Sequence, residues 1–372
     1  MIPYNRPYKS GAALDTIRQA FKQENLGGDG NYTHLCQQKL EQQYGFGKCL
    51  LTHSCSAALE IAARVCDFQP GDEVIVPSFA YVTTASAFTA NGATVRFAES
   101  QAISPHIDPE AIAELINPKT RALVIVHYAG AACDMKAVMD LVRHHKLLLI
   151  EDCAHAINAK YEGKYLGTFG QLATFSFHET KNIHCGEGGM LIVNDERLTD
   201  KSVSIWHEGT DRQNFKKGLT AKYEWTHLGS SYQPSELTAG FLYAQLEDLA
   251  PVTAQRIALW ERYHDALAET TDSFTLPVVR SGHNAHIFYL KCPSQSYRNA
   301  LIAHLNTQGV MAIFHYLPLH QSPYWLQSHK PEVLKEAEAW ADCIVRLPLF
   351  YDLTAQEQDH IIESIQGFNP PG

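Results

Sequence analysis
The sequence has 372 residues, 45% hydrophobic and 19% charged, with a formal net charge of −10. That is ordinary globular composition, long enough for one large core plus a smaller unit. No block of Lys or Arg appears, which excludes the electrostatic footprint of a nucleic-acid binder, so a small anionic ligand must be held by local groups.

The opening stretch "MIPYNRPYKSG" lacks the apolar segment of a secretory leader, and no apolar run reaches the ~18 residues that a membrane span needs. A soluble protein is expected. Short apolar runs follow at 49–54, 73–78, 94–99, 122–128, 147–152, 173–177 and 190–194. They are continuous rather than alternating, as in strands covered on both faces. Helical patterns lie between them at 56–66, 109–116 and 135–146. Strand–helix alternation predicts an α/β fold with a mostly parallel sheet, here of seven strands. After the helical run 236–249, a long helical stretch at 252–270 reads as a bridge. The remainder has fewer strands, at 286–292 and 310–316, with a helix at 296–309 between them and two helical segments after. The expected organisation is a large unit, 1–249, and a smaller α+β unit, 250–372.

The nine cysteines are scattered, odd in number and mostly in apolar surroundings, which predicts reduced thiols in a cytoplasm. His184 and Cys185 with His178 lack a fourth ligand at zinc spacing, so no metal is expected.

In an open parallel sheet, ligands bind beyond the carboxyl ends of the strands, and three features fall there. In "HSCSAALE" (53–60) small residues end a strand and a helix begins at Ser56. Free N–H groups and a hydroxyl at a helix start form an anion site, although a lone serine there also reads as an N-cap. Asp152 closes the apolar strand "LLLIED", where a carboxylate needs a partner such as a cationic ring nitrogen, or else caps a helix. Lys181 sits in the polar turn between Phe177 and Gly186. Alone it reads as a surface lysine, but at a strand edge with restricted water its pKa falls and it becomes nucleophilic toward an aldehyde. A phosphate cradle, a carboxylate for a pyridinium and a reactive lysine are the three handles that pyridoxal 5′-phosphate requires. No G-x-G-x-x-G follows an early strand, which sets a dinucleotide-binding fold aside.

The stretches "IPYNRP", "GDG", "GDEVIVPSFAYVTTASAF", "VHYAG", "EDCAHA", "FSFHETKNIHCGEGG", "GSSYQPSELTAGFLYAQL", "FHYLPLH" and "RLPLF" together resemble the DegT/DnrJ/EryC1/StrS family of sugar-nucleotide aminotransferases. The resemblance implies the aspartate-aminotransferase (fold type I) architecture and pyridoxal 5′-phosphate as cofactor. By the resemblance, Lys181 would bond the cofactor covalently and then act as general acid and base. Asp152 would keep the pyridine nitrogen protonated, His155 would lie near the phenolic oxygen, and Tyr81 would stack on the ring, the alternative for Tyr81 being a core aromatic. Ser176 and the turn Cys55, Ser56, Ala57 would hold the phosphate. His315, Tyr316 and His320 would face the sugar nucleotide, packing between domains being the alternative. Cys55-Ser56 stands where the family has Gly-Thr, and Ser231 stands where many members place an Asn that reaches a partner subunit's phosphate. The lysine turn is one residue shorter than in similar members.

Within the family, "SCSAALE", "FSFHETKN" and "GSSY" are most similar to a branch that makes dTDP-4-amino-4,6-dideoxygalactose for enterobacterial common antigen. The implied reaction moves an amino group from L-glutamate to a dTDP-4-keto-6-deoxyhexose in a cytoplasmic homodimer with active sites at the interface. Amination of a 3-keto sugar, a sugar dehydratase and a non-enzymatic scaffold are the alternatives. Lys181 speaks against the dehydratase, which resembles this sequence with His in that place.

Overall fold
The computed structural model describes residues 1–270 and 274–369. Seven apolar runs pair into one sheet: β1 Lys48–Thr52, β2 Glu73–Pro77, β3 Thr94–Ala98, β4 Thr120–Val126, β5 Leu148–Asp152, β6 Leu172–Ser176 and β7 Gly189–Val193. The spatial order is β1-β7-β6-β5-β4-β2-β3. Neighbours from β6 through to β3 run parallel, whereas β7 is antiparallel to both β1 and β6.

Register decides what meets at the sheet edge. Asp152 lies opposite Val126 on one side and Thr174 on the other, while Ser176 and Thr52 both pair with Gly189. The carboxyl ends of β1, β5 and β6 therefore converge with the amino end of β7. Helices cover both sheet faces. One core packs beneath helices Asn31–Tyr44, Met135–His145 and Glu236–Glu247, and another beneath Cys55–Cys66, Thr83–Thr89 and Thr199–Trp206. Burial on both faces is why the strands read as unbroken apolar runs.

Helix Leu249–Leu267 leads from this sheet to a third core, made mostly of residues 259–365 around the ribbon Tyr289–Lys291 with Ile344–Arg346. The chain's start joins it: Ile2 pairs with Val310 and bonds Gly309 and Met311. The expected strand at 310–316 is corrected here. Val310 and Ile313 each make a single bridge, to Ile2 and to Arg346, so no continuous partner exists among the described residues. The chain instead turns inward at His315 and Tyr316. Among the described residues, no helix is long and apolar enough to cross a membrane.

Candidate active site
A cavity of about 300 Å³ opens over the convergent sheet edge. That is the lower end of the usual small-molecule range of ~300–1,000 Å³. Cys55, Ser56, Tyr81, Asp152, His155, Ser176, Lys181, His315 and Tyr316 all line it.

The anion-binding end is a helix start. Ser54, not Ser56, is the N-cap of helix Cys55–Cys66, with its hydroxyl accepting the Ala57 N–H. This corrects two expectations. The helix begins one residue earlier, and Ala57 spends its N–H on the cap and does not line the cavity. Among the described residues, the N–H groups of Cys55 and Ser56 have no acceptor, and they lie in the helix's positive first turn. Ser176, buried at the end of β6, brings its hydroxyl to the same cavity.

Asp152 is 3% exposed. Its Oδ2 accepts the Thr84 hydroxyl at 2.7 Å and its Oδ1 accepts the Ala154 N–H at 3.1 Å. Burial outweighs these bonds and raises its pKa. No ion pair reaches it among the described residues. A buried carboxylate so placed fits a cationic ring nitrogen in the cavity.

Lys181 arrives on the loop between β6 and β7, an antiparallel hairpin extended past the sheet. Phe177 N–H bonds Gly188, Cys185 N–H bonds Phe177, and Glu179 N–H bonds Gly186. The glycines permit the close approach that the loop makes to its neighbours. A Cβ on Gly189 would lie 2.3 Å from the Ser54 carbonyl carbon and the Cys55 nitrogen. The loop is thus packed against the start of the anion-binding helix. Burial lowers the Lys181 pKa from 10.5 to about 8, with Arg346 adding to the fall and Cys55 and Asp152 opposing it. A neutral amine is accessible there near physiological pH, as a nucleophile and proton carrier require.

The opposite wall is aromatic. His155 Nδ1 accepts the Ala129 N–H at 3.3 Å and its Nε2 lies 3.1 Å from the Tyr316 hydroxyl. Burial holds this imidazole neutral, with Lys181 adding to the effect. With Nδ1 accepting, Nε2 carries the proton and donates to Tyr316, whose own O–H is left to point at a ligand. His315 Nδ1 faces the Tyr128 hydroxyl at 2.6 Å, and its ring stacks on Tyr316 at 3.7 Å. Tyr81 is 56% exposed at the mouth, 6.2 Å from the Tyr316 ring, so it is not a core aromatic.

Besides Ala57, two more expected residues fall outside the cavity. His320 is fully buried, with Nδ1 at 2.6 Å from the Ser78 hydroxyl and Nε2 at 3.2 Å from Glu338, so it joins the sheet unit to the C-terminal one rather than facing the cleft. Ser231 is exposed and bridged to His207. His184 is structural: its Nε2 donates to the Tyr8 carbonyl at 2.5 Å and its Nδ1 accepts the Gly186 N–H.

Thr84, His286 and Arg346 also line the cavity; Thr84 and Arg346 lie in stretches that carry the family resemblance, but no chemistry at their own positions marked them as site residues. Glu151 was overshadowed by its neighbour. It is fully buried, accepts N–H bonds from Gly167, Phe169 and Gly170, and lies 3.0 Å from His127 Nε2. Burial opposes charge on both partners, but their hydrogen bonds prevail, holding Glu151 below its ordinary pKa and His127 above. Cys153 lies beside them, and the three could geometrically surround a cation. Glu151 is instead saturated by the three N–H groups and His127.

The model of the DegT/DnrJ/EryC1/StrS aminotransferase family matches residues 8–366. Among solved structures, the chain is similar to DesV of S. venezuelae, at 29% identity and a TM-score of 0.87, over 95% of this chain and 93% of that one. It is also similar to PseC of Helicobacter pylori, an aminotransferase of pseudaminic acid biosynthesis, at 24% identity and a TM-score of 0.92 over 98% of each chain. A sugar aminotransferase of Streptococcus pneumoniae solved in its PLP form, Spr1654, aligns at 23% identity with a TM-score of 0.90, over 98% and 97% of the chains. With a match running almost from end to end, the chain belongs to the DegT/DnrJ/EryC1/StrS aminotransferase family.

Proposed function
We propose that this aminotransferase moves an amino group from L-glutamate to C4 of a dTDP-4-keto-6-deoxyhexose, giving dTDP-4-amino-4,6-dideoxygalactose for a cell-surface polysaccharide such as enterobacterial common antigen. The observation that carries the reading is the convergence of Lys181, Asp152 and the unpaired Cys55 and Ser56 N–H groups on one cavity. The choice of sugar rests on the "SCSAALE", "FSFHETKN" and "GSSY" spellings.

The enzyme uses pyridoxal 5′-phosphate, which when bound supplies a conjugated electron sink for the carbon bearing the amino group. The protein's residues supply the rest. Cys55 and Ser56 N–H groups and the Ser176 hydroxyl hold the phosphate. Asp152, fixed by Thr84 and Ala154, keeps the ring nitrogen protonated. Tyr81 covers the ring at the mouth, and His155 orients Tyr316 toward it. Lys181 anchors the cofactor, removes the Cα proton of glutamate and later delivers a proton to the sugar carbon. His315 and Tyr316 face the sugar nucleotide.

The cavity in one chain is small for cofactor and sugar nucleotide together, and Ser231 is exposed outside it. Both features support a homodimer in which Ser231 serves the neighbouring site. Separate cores support a division at about residue 249, with Ile2 crossing to the C-terminal unit. Nine unpaired cysteines support a cytoplasmic location.

The test is product analysis after incubation with dTDP-4-keto-6-deoxyglucose and L-glutamate. A 4-amino product with the galactose configuration supports the reading. Amination at C3 of a 3-keto isomer instead, or no amination, refutes it.

A further inference from the structure
We propose that Nε2 of His286 accepts a hydrogen bond from the sugar hydroxyl next to the carbon that is aminated, an inference that rests on the sugar-aminotransferase reading above. His286 lines the cavity and is 4% exposed. Two buried asparagines fix it. Asn284 donates through Nδ2 to the His155 and Ile157 carbonyls, which leaves its Oδ1 to accept the His286 N–H at 3.1 Å. Asn182, the residue after Lys181, donates through Nδ2 to the Asn284 carbonyl at 2.9 Å. A carbonyl can only accept, so Asn182 turns its Oδ1 to His286 Nδ1, 2.9 Å away. That oxygen also only accepts, so Nδ1 carries the proton of the ring. Burial, reinforced by the charge of Lys181, holds the ring neutral. Its Nε2 is therefore a bare lone pair, and among the described residues nothing donates to it.

An acceptor left unpaired when a ligand fills the cavity costs free energy, and one met by a donor there confers specificity. The His155 and His286 rings lie 4.5 Å apart, on the wall where Tyr316 is held. His155 gives its Nε2 proton to Tyr316, so the two adjacent imidazoles present opposite chemistry: one donates and the other accepts. The charge of Lys181 is felt at both. What comes to rest beside Lys181 alternates between two substrates. Glutamate brings a carboxylate on its reacting carbon, whose oxygens only accept and are repelled by a lone pair. Its nitrogen is the atom transferred. A keto-hexose brings a hydroxyl on the neighbouring carbon, which donates. His286 is thus suited to the sugar and idle toward glutamate, which makes it a specificity-determining contact of the second half-reaction.

Binding of a sugar nucleotide that cannot react tests this. dTDP-6-deoxygalactose has no carbonyl to aminate. It and its 3-deoxy analogue are titrated by calorimetry into holoenzyme carrying the amine form of the cofactor. The wild type should bind the 3-deoxy analogue about 5- to 150-fold more weakly, the range for leaving a buried hydrogen-bonding group unpaired. His286→Asn can still donate to Asn182 but stops short of the Nε2 position, and it should bind the two ligands within about twofold of each other. His286→Gln extends an acceptor to that position and should be intermediate. Conversion of the cofactor to its amine form by L-glutamate, followed by absorbance, should change by no more than about twofold in His286→Asn. Nitrogen NMR of the wild type needs no variant. The His286 ring should show the Nδ1-protonated tautomer, and its Nε2 resonance should move on binding dTDP-6-deoxygalactose but not the 3-deoxy analogue. Discrimination that persists in His286→Asn overturns the proposal. So does an Nε2 resonance that stays in place, or a slowed glutamate step with unchanged sugar binding. Failure of the wild type to aminate C4 would sink the substrate reading. The binding and NMR comparisons contain no amination step, so they decide the His286 contact on their own.

Discussion

Thr84 donates its hydroxyl to Asp152 Oδ2 across 68 residues of sequence, at 2.7 Å and out of contact with water. The bond orients the carboxylate that is proposed to hold the cofactor's ring nitrogen. Thr84→Val keeps the shape and removes the donor. A hydrogen bond to a charged group is worth about 1.5–3 kcal/mol, so kcat should fall roughly 10- to 150-fold. Asp152→Asn should fall further while keeping the fold. Steady-state rates at saturating cofactor check both, and wild-type turnover in Asp152→Asn would make Asp152 a mere turn cap.

Gly189 abuts the Ser54–Cys55 backbone, so Gly189→Ala forces β7 away from the anion-binding helix. Overpacking of this kind costs about 1–3 kcal/mol. The variant should lose that much stability in urea unfolding and also hold the cofactor more weakly. Stability and cofactor affinity both equal to wild type would mean that the lysine loop and the helix are not coupled.

His320→Ala should separate packing from binding. The buried ring's contacts with Ser78 and Glu338 would be lost, at about 1–3 kcal/mol for the polar groups left behind. The sugar-nucleotide KM should not change, whereas Tyr316→Phe should raise it. A selective KM effect in His320→Ala would restore the ring to the substrate site.

Lys181 makes stability depend on pH in a defined direction. Burial is the main reason that its pKa falls from 10.5 to about 8 in the folded protein. Between those values the unfolded chain binds more protons, so this residue's contribution to stability rises with pH across the window. Below pH 8 its penalty is fully present. Apoenzyme carrying Lys181→Met should therefore exceed the wild type in stability most at pH 7, and the gap should close toward pH 10.5. A gap that stays constant in urea melts at pH 7, 8, 9 and 10 would contradict a buried, titrating amine.

Much of this was legible in the sequence because strands buried on both faces leave unbroken apolar runs, and all seven sheet strands fall within two residues of those runs. Lys181, Asp152 and the Cys55–Ser56 turn were legible because each closes or follows a strand at the same edge. Partnerships between distant segments were not. Nothing near Thr84 signals Asp152, and the Ser78–His320 contact spans 242 residues. Ser54 and Ser56 both precede apolar helical residues, so composition alone did not separate the cap from the ligand-facing serine. Glu151 and Asp152 are adjacent acids, but successive strand residues point to opposite faces. One meets loop N–H groups and the other meets the cavity. The run 310–316 has strand composition without a strand's partner.

Borohydride reduction of the holoenzyme, followed by mass spectrometry of the peptide carrying Lys181, tests the central claim most directly. The expected result is the cofactor fixed to Lys181, with no adduct in Lys181→Ala and no amine transfer by that variant. An adduct on another lysine, or amine transfer that survives in Lys181→Ala, would contradict it.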